Sequence, residues 1–437
     1  MLATKAGAVR RRSIAITVIG AALLLAACGT GGDTPGTGGK SKFAKLVWWH
    51  NANAEPAKSF YQKVVLDFQA THPNVIIDQV ITDSESMKAK IQVAMQSPNP
   101  PDVIHQWGGG WMADQVKAGK LMDLTASTKD AVPKLAGNSG WQIDGKVYGL
   151  NFALGVNGFW YRKDLFAQVG ITKTPTTLDQ LMQDVHKLRN AGIEPIALGG
   201  KDKWPTAFWY GAFVVRECSK TALDSTVKSL RFDDPCWAKS AEDFQQVVDA
   251  KPFAKGYLAT TAQNGAGSSA GQLATGKAAM ELMGQWDASV ITGLTPGQKP
   301  LPSTVLGWFP FPSVPGAAGA QDAQLGGGDG YSCSYKAPPV CVDFIKYFTS
   351  ADVQRRYAKQ VGRIPANKDA SDGLTDPNLK AIVVARDGAS FIQPALDVAL
   401  GTDVGNALND AVSLQLAGGS TPAQFITAIQ DSATQHK

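Results

Sequence analysis

Several tryptophans stand beside turn residues instead of inside apolar runs: Trp107 and Trp111 around Gly108-Gly109-Gly110, Trp204 before Pro205, and Trp209, Trp286 and Trp308 further on. A flat ring in a loop, next to side chains that both donate and accept hydrogen bonds, suits a ligand with an apolar CH face and a rim of hydroxyls, which is the chemistry of a sugar. Core packing is an equally good reading of any one of these rings. His50, Asn51 and Asn53 follow the first apolar run at its carboxyl end, where open α/β sheets place ligands, and helix capping by Asn51 or Asn53 is the alternative. Gln106 stands beside Trp107. Asp329 lies in Gly326-Gly327-Gly328-Asp329-Gly330, where backbone can approach a ligand closely or simply turn in solvent. Arg363, in Gly362-Arg363-Ile364-Pro365, offers a planar fork of donors. Phe208, Asp83, Asn157 and Asn264 complete the polar and aromatic candidates.

Other chemistry finds less support. A glycoside hydrolase needs two carboxylates flanking the scissile bond, and Asp287 and Asp329 are available as such a pair, yet no hydrolase motif accompanies them. Gly267-Ser268-Ser269-Ala270-Gly271 spells GxSxG, but a nucleophile elbow follows an apolar strand and residues 260–266 are polar and Gly-rich. There is no HExxH, P-loop or CxxC, and none of the five histidines (His50, His72, His105, His186, His436) are four apart, so neither a metal nor a cofactor is expected.

The elements that would hold these residues alternate between strand and helix. Residues 45–49 form a short apolar run, and 57–71 carry Phe60, Val64, Val65 and Phe68 at helical spacing. Residues 75–80 read as strand, 87–95 as helix, 102–104 as strand and 112–117 as a helix ended by Gly119. Strands at 156–161 and 278–283 follow, with helices near 178–189, 241–250 and 342–348 and a mostly helical stretch at 397–430. That order predicts an α/β fold. Residues 265–271 and 310–330 read as low-complexity segments.

The chain has 437 residues, 44% hydrophobic and 18% charged, enough for a sizeable core and, by length, two domains. Its formal charge is +5, but Lys5, Arg10, Arg11 and Arg12 lie ahead of an apolar stretch at 13–25, and without them the charge is +1. A polybasic nucleic-acid binder is therefore disfavoured. Leu25-Ala26-Ala27-Cys28 closes that stretch, and the whole resembles a bacterial lipoprotein signal in which Cys28 becomes the lipid-modified first residue; an ordinary secretory signal is the alternative. Residues 1–27 are then the signal peptide and 28–43, rich in Gly, Thr, Asp and Pro, a flexible tether. Four cysteines remain, Cys218, Cys236, Cys333 and Cys341. They allow three pairings, of which the two local loops, Cys218 with Cys236 and Cys333 with Cys341, are favoured; a zinc site lacks the close CxxC pairs and neighbouring histidines it needs.

Taken together the landmarks resemble the substrate-binding lipoproteins of bacterial carbohydrate ABC importers, the extracellular solute-binding family that includes maltose-binding protein. They are Lys45-Leu46-Val47-Trp48-Trp49-His50, His72-Pro73-Asn74-Val75, Pro101-Asp102-Val103, Trp160-Tyr161-Arg162-Lys163-Asp164-Leu165-Phe166, Gly276-Lys277-Ala278-Ala279-Met280 with Gln285-Trp286, Phe309-Pro310-Phe311-Pro312, the run 344–350 and Gly362-Arg363-Ile364-Pro365. The resemblance implies a two-lobe periplasmic-binding-protein-like fold with a hinge and a central ligand cleft. Crossings are expected near 152–156, Leu273 and 310–312, with one lobe from 44–153 plus 273–310 and the other from 154–272 plus 311–437. It also implies that Trp286 and Trp107 stack on sugar, with one of Trp204, Phe208 and Trp209 joining them. The expected ligand is a disaccharide or short oligosaccharide, because several rings ask for more than one sugar unit. The expected partners are ABC permease subunits and the outer face of the cell membrane through the lipid alone, with the protein a monomer and no enzyme. A secreted glycoside-active enzyme, or an adhesion or signalling lipoprotein without a cleft, are the competing readings, and convergence of the loop tryptophans discriminates carbohydrate binding from the cleftless lipoprotein.

Overall fold

A computed structural model describes residues 43–436, so the Cys28 lipidation, signal and tether expectations lie outside the described residues. The described residues build twelve strands: β1 (Ala44–His50), β2 (Val75–Ile81), β3 (Val103–Gln106), β4 (Gln142–Ile143), β5 (Lys146–Val147), β6 (Leu150–Val156), β7 (Gly158–Arg162), β8 (Glu194–Ala197), β9 (Ala278–Met283), β10 (Leu306–Pro310), β11 (Gln324–Cys333) and β12 (Ile392–Pro394). A six-stranded sheet runs in the order β12-β11-β3-β1-β2, with β6 also paired to β11. A four-stranded sheet runs β10-β7-β9-β8, and β4 with β5 makes a hairpin.

The first sheet follows from period-two burial. Leu46, Trp48 and His50 occupy one face of β1 and are buried. The helix Ala57–Thr71 lays Phe60, Tyr61, Val64, Val65 and Phe68 against that face, where Trp48 stacks on Tyr61 with ring centroids 5.3 Å apart. β2 and β3 flank β1 in parallel, and the helices Ala57–Thr71 and Ser84–Gln96 make the crossovers that parallel strands need. The helix Ser84–Gln96 starts where Asp83 accepts from the Ser86 N–H at 2.9 Å. The second sheet packs on the helix Trp204–Glu217, every residue of which is buried.

The expected 156–161 strand is two strands in different sheets, β6 and β7, separated only by Asn157. The expected low-complexity segment 310–330 contains most of β11, the strand that joins β12, β3 and β6. Three of its four glycines, Gly326, Gly328 and Gly330, reflect crowding: a Cβ on Gly328 would stand 1.9 Å from the Ala153 carbonyl oxygen, and one on Gly330 2.3 Å from Trp141 Nε1. Sheet membership also groups the chain differently from the expected lobes. β8 pairs directly with β9, so no crossing between sheets falls near Leu273, and β9 and β10 belong with β7, while β11 belongs with β1 and β3. The structure pairs Cys218 with Cys236 and Cys333 with Cys341, the two local loops.

Candidate functional site

Between the two sheets lies a cleft of about 1070 Å³ of open space. Asn157, the single residue between β6 and β7, lines it and hangs its N–H on the Leu325 carbonyl of β11 at 2.8 Å. Ligand space therefore sits where the chain passes from one sheet to the other.

Four rings reach the cleft, and the backbone explains each. The helix Trp204–Glu217 presents Trp204 and Phe208, one turn apart, with centroids 5.3 Å apart. Trp286, in the turn after β9, meets both, at 6.2 Å from Trp204 and 6.1 Å from Phe208. Its ring lies over Gly284, where a Cβ would stand 2.0 Å from it. The Trp286 carbonyl accepts from the Ser289 hydroxyl at 2.8 Å, and Arg363 Nε donates to that same hydroxyl at 3.0 Å. Trp107 comes from the end of β3, with Lys88 Nζ 5.5 Å from its ring centroid.

Polar groups complete the lining. Asn51 follows β1 and donates to Ser84 Oγ at 3.1 Å, and Asn53 lines the same wall. Asp329 on β11 lies 3.0 Å from His105 Nε2. Burial pushes its carboxyl up, but the His105 hydrogen bond and the His105 and Arg363 charges outweigh that and hold it below the usual carboxylate range. Lys88 pairs with Asp397 at 2.8 Å; burial lowers the ammonium, yet the Asp397 and Glu85 charges leave it raised. Gln263 and Ser289 line the cleft as well.

Of the sequence candidates, the cleft thus gathers Trp107, Trp204, Phe208, Trp286, Asn51, Asn53, Asn157, Asp329 and Arg363. Asp83 and Asn264 sit beside it, in a smaller recess that Asp202 and Glu85 share. Four candidates belong elsewhere. His50 is buried on the core face of β1, its Nε2 3.0 Å from Gln79 Oε1, and burial pushes its pKa down to about 3, so it is a neutral structural imidazole. Gln106 is buried and donates to Gln115 Oε1 at 2.7 Å. Trp209 is buried edge-on to Phe253, and Trp308 is buried across Gly158, where a Cβ would lie 2.4 Å from its ring. The carboxylate pairing of Asp287 with Asp329 does not form in the cleft, because Asp287 is wholly buried behind the lining beside Glu281. Ser269, the centre of GxSxG, is buried and donates to the Ala262 carbonyl at 3.1 Å.

Lys88, Ser84, Gln263, Ser289 and Asp397 line the cleft without having been singled out in the sequence. Among the described residues no group of three or more His, Cys, Asp and Glu side chains could hold a metal, and no helix is long and apolar enough to cross a membrane.

The family model described as bacterial extracellular solute-binding protein matches residues 51–355. Diacetylchitobiose binding protein DasA of Streptomyces coelicolor is 25% identical over 389 residues, covering 86% of each chain. An uncharacterised ABC transporter extracellular-binding protein of Pyrococcus horikoshii is 24% identical over 401 residues, 86% of this chain and 84% of that one. A solved chitin oligosaccharide binding protein superposes with a TM-score of 0.81 at 25% identity, over 90% of this chain and 99% of the other. A protein studied for xylan utilization by Caldanaerobius polysaccharolyticus superposes with a TM-score of 0.79 at 25% identity, over 89% and 99%. The two-lobe α/β architecture of the periplasmic sugar-binding proteins is thus the fold of this chain.

Proposed function

The chain belongs to the bacterial extracellular solute-binding protein family, and from that premise we propose that it captures a disaccharide or short oligosaccharide outside the cell and hands it to an ABC permease. The observation that carries this reading is the convergence of Trp107, Trp204, Phe208 and Trp286 on one cleft already walled by amide, hydroxyl, carboxylate and guanidinium groups. Rings take the CH faces of the sugar and the polar groups take its hydroxyls. The chitobiose, chitin-oligosaccharide and xylan descriptions of its relatives point to the same class of ligand.

In this reading the lobes follow the sheets, so the chain crosses at Asn157 and again between β10 and β11, and hinge closure traps the sugar. The protein acts by binding and not by hydrolysis, as a monomer tethered through a lipid on Cys28. A cysteine at the end of the signal-like segment supports the tether.

The test is a thermal-shift screen of residues 42–437 against mono-, di- and trisaccharides, amino acids and inorganic anions. A bound ligand at about 100 times its dissociation constant adds roughly 2.7 kcal/mol, a clear rise in Tm. A rise with one glycan series, the sugar recovered intact, is the expected result. No rise with any sugar, or a sugar recovered as fragments, defeats the reading.

A further inference from the structure

Gly327 is the one cleft-lining glycine of β11 whose missing side chain leaves empty space. A Cβ on Gly326 would come within 2.5 Å of the Gly155 carbonyl oxygen, and one on Gly328 within 1.9 Å of the Ala153 carbonyl oxygen, so packing requires glycine at both positions. A Cβ on Gly327 would meet nothing within 4 Å. Its backbone is also ordinary: Gly327 is not among the glycines with positive φ, and it pairs with Gly155 of β6 in regular antiparallel register. A glycine in the middle of a strand costs roughly 0.5–1 kcal/mol relative to alanine. At Gly327 neither close packing nor a left-handed backbone accounts for that cost.

What lies in front of Gly327 is the cleft, with Asp329 two residues along the same strand and Trp286 and Asn157 in the same lining. We propose that Gly327 is a specificity-determining residue, kept bare so that a pyranose ring, with its exocyclic substituent, can settle against the backbone of β11 in the volume a side chain would fill. This rests on the carbohydrate reading above and deepens it. The residue at 327 sets how deep the sugar sits and how large a ring substituent it carries. Successive residues of a strand point to opposite faces, so Gly326 and Gly328 serve the packing of the sheet while Gly327 serves the ligand.

The experiment is the series Gly327→Ala, Gly327→Val and Gly327→Leu, with Gly328→Ala as the comparison. Melting of the ligand-free protein is recorded beside calorimetric titration with the sugar that gives the wild type its largest thermal shift, and with the unsubstituted pyranose oligomer of the same length. The expected result is that all three Gly327 variants melt at or above the wild type while Gly328→Ala melts well below it. Affinity falls in the order alanine, valine, leucine, reaching a loss of at least about tenfold at valine, the scale on which a misfitted methyl or methylene group is rejected. The loss is larger for the substituted sugar than for the unsubstituted one. Wild-type affinity in Gly327→Leu, an equal loss for both sugars, or a lowered melting temperature in Gly327→Ala each overturns the proposal. A wild-type protein that binds no sugar overturns the carbohydrate reading and this proposal with it, and it shows before any variant is made.

Discussion

Arg363 reaches Ser289 across the boundary between the two sheets: Nε donates to the Ser289 hydroxyl at 3.0 Å, and that hydroxyl donates to the Trp286 carbonyl at 2.8 Å. Arg363 follows the helix Ala351–Val361, whose Val353, Tyr357 and Val361 pack into the core of the first sheet. Ser289 belongs to the helix Asp287–Leu294 that follows β9 of the second. One hydroxyl therefore ties the stacking ring to a cation anchored on the other side. Ser289→Ala removes the bridge and leaves the guanidinium to Asp329 and Tyr357; hydrogen bonds to charged groups contribute about 1.5–3 kcal/mol, so sugar affinity should fall about tenfold or more in calorimetry. An unchanged dissociation constant would remove the bridge from the binding mechanism.

Trp286→Ala should weaken sugar binding by more than about tenfold while the circular dichroism spectrum and melting temperature stay close to wild type, because the ring is only partly buried and its loss leaves open cleft instead of a sealed cavity. Trp209→Ala is the contrast. Its indole is fully buried in the core, so it should lose stability by about 3–5 kcal/mol, read from the urea midpoint.

Lys88 and Asp397 form a buried ion pair, their side chains 19% and 4% exposed. Removing one partner leaves the other charged and desolvated, so Lys88→Met should destabilise the protein by about 3–5 kcal/mol. Lys88→Met combined with Asp397→Leu should recover most of that loss in denaturant melts. A double variant no better than the single one would show that the pair does not act as a unit.

Glu281 and Asp287 are wholly buried side by side, and their carboxyls hydrogen-bond to each other, so the pair shares a proton. Burial drives both carboxyls up, and the neighbouring Asp287 charge raises Glu281 further. The fold therefore keeps protons that the unfolded chain releases at the ordinary carboxylate values, 4.5 for Glu and 3.8 for Asp. Their contribution to stability is complete below those values and is lost progressively as pH rises toward the folded-state values. Glu281→Gln should match the wild type near pH 4 and exceed it at pH 8 in urea midpoint. A constant difference between the two proteins across that range would contradict the shared-proton picture.

The sequence carried the regular elements well where side chains alternate. The helix Ala57–Thr71 and the strand Ala278–Met283 fall where their apolar spacing puts them. β11 was illegible because its four glycines leave no hydrophobic period to read, and the reason for three of them, Gly326, Gly328 and Gly330, lies in Gly155, Ala153, Leu150 and Trp141, far away in sequence but within van der Waals reach in space. His50 looked like a ligand group by its place at a strand end, although it shares the inward face of Leu46 and Trp48, a period-two signal that already assigns it to the core. Trp204 and Phe208 stand four apart and share a helix face, while Trp209 falls on another, and that spacing separates cleft ring from core ring. Lys88 gave no such sign: a lysine on a helix reads as solvated until Asp397, distant in sequence, is placed against it.

β11 is also a timing constraint on synthesis. Two of its partners, β3, paired through Gly330 and Gln106, and β6, paired through Tyr331 and Leu150, are made long before it. A chain that emerges from its amino end holds β1, β2 and β3 with one edge of the sheet unpaired until residue 333 has been added. Open strand edges of this kind invite wrong pairing, and contacts so remote in sequence form slowly. The first sheet thus waits on late-made strands, and any holding factor that delays collapse until the whole chain is out favours the native pairing over the premature one.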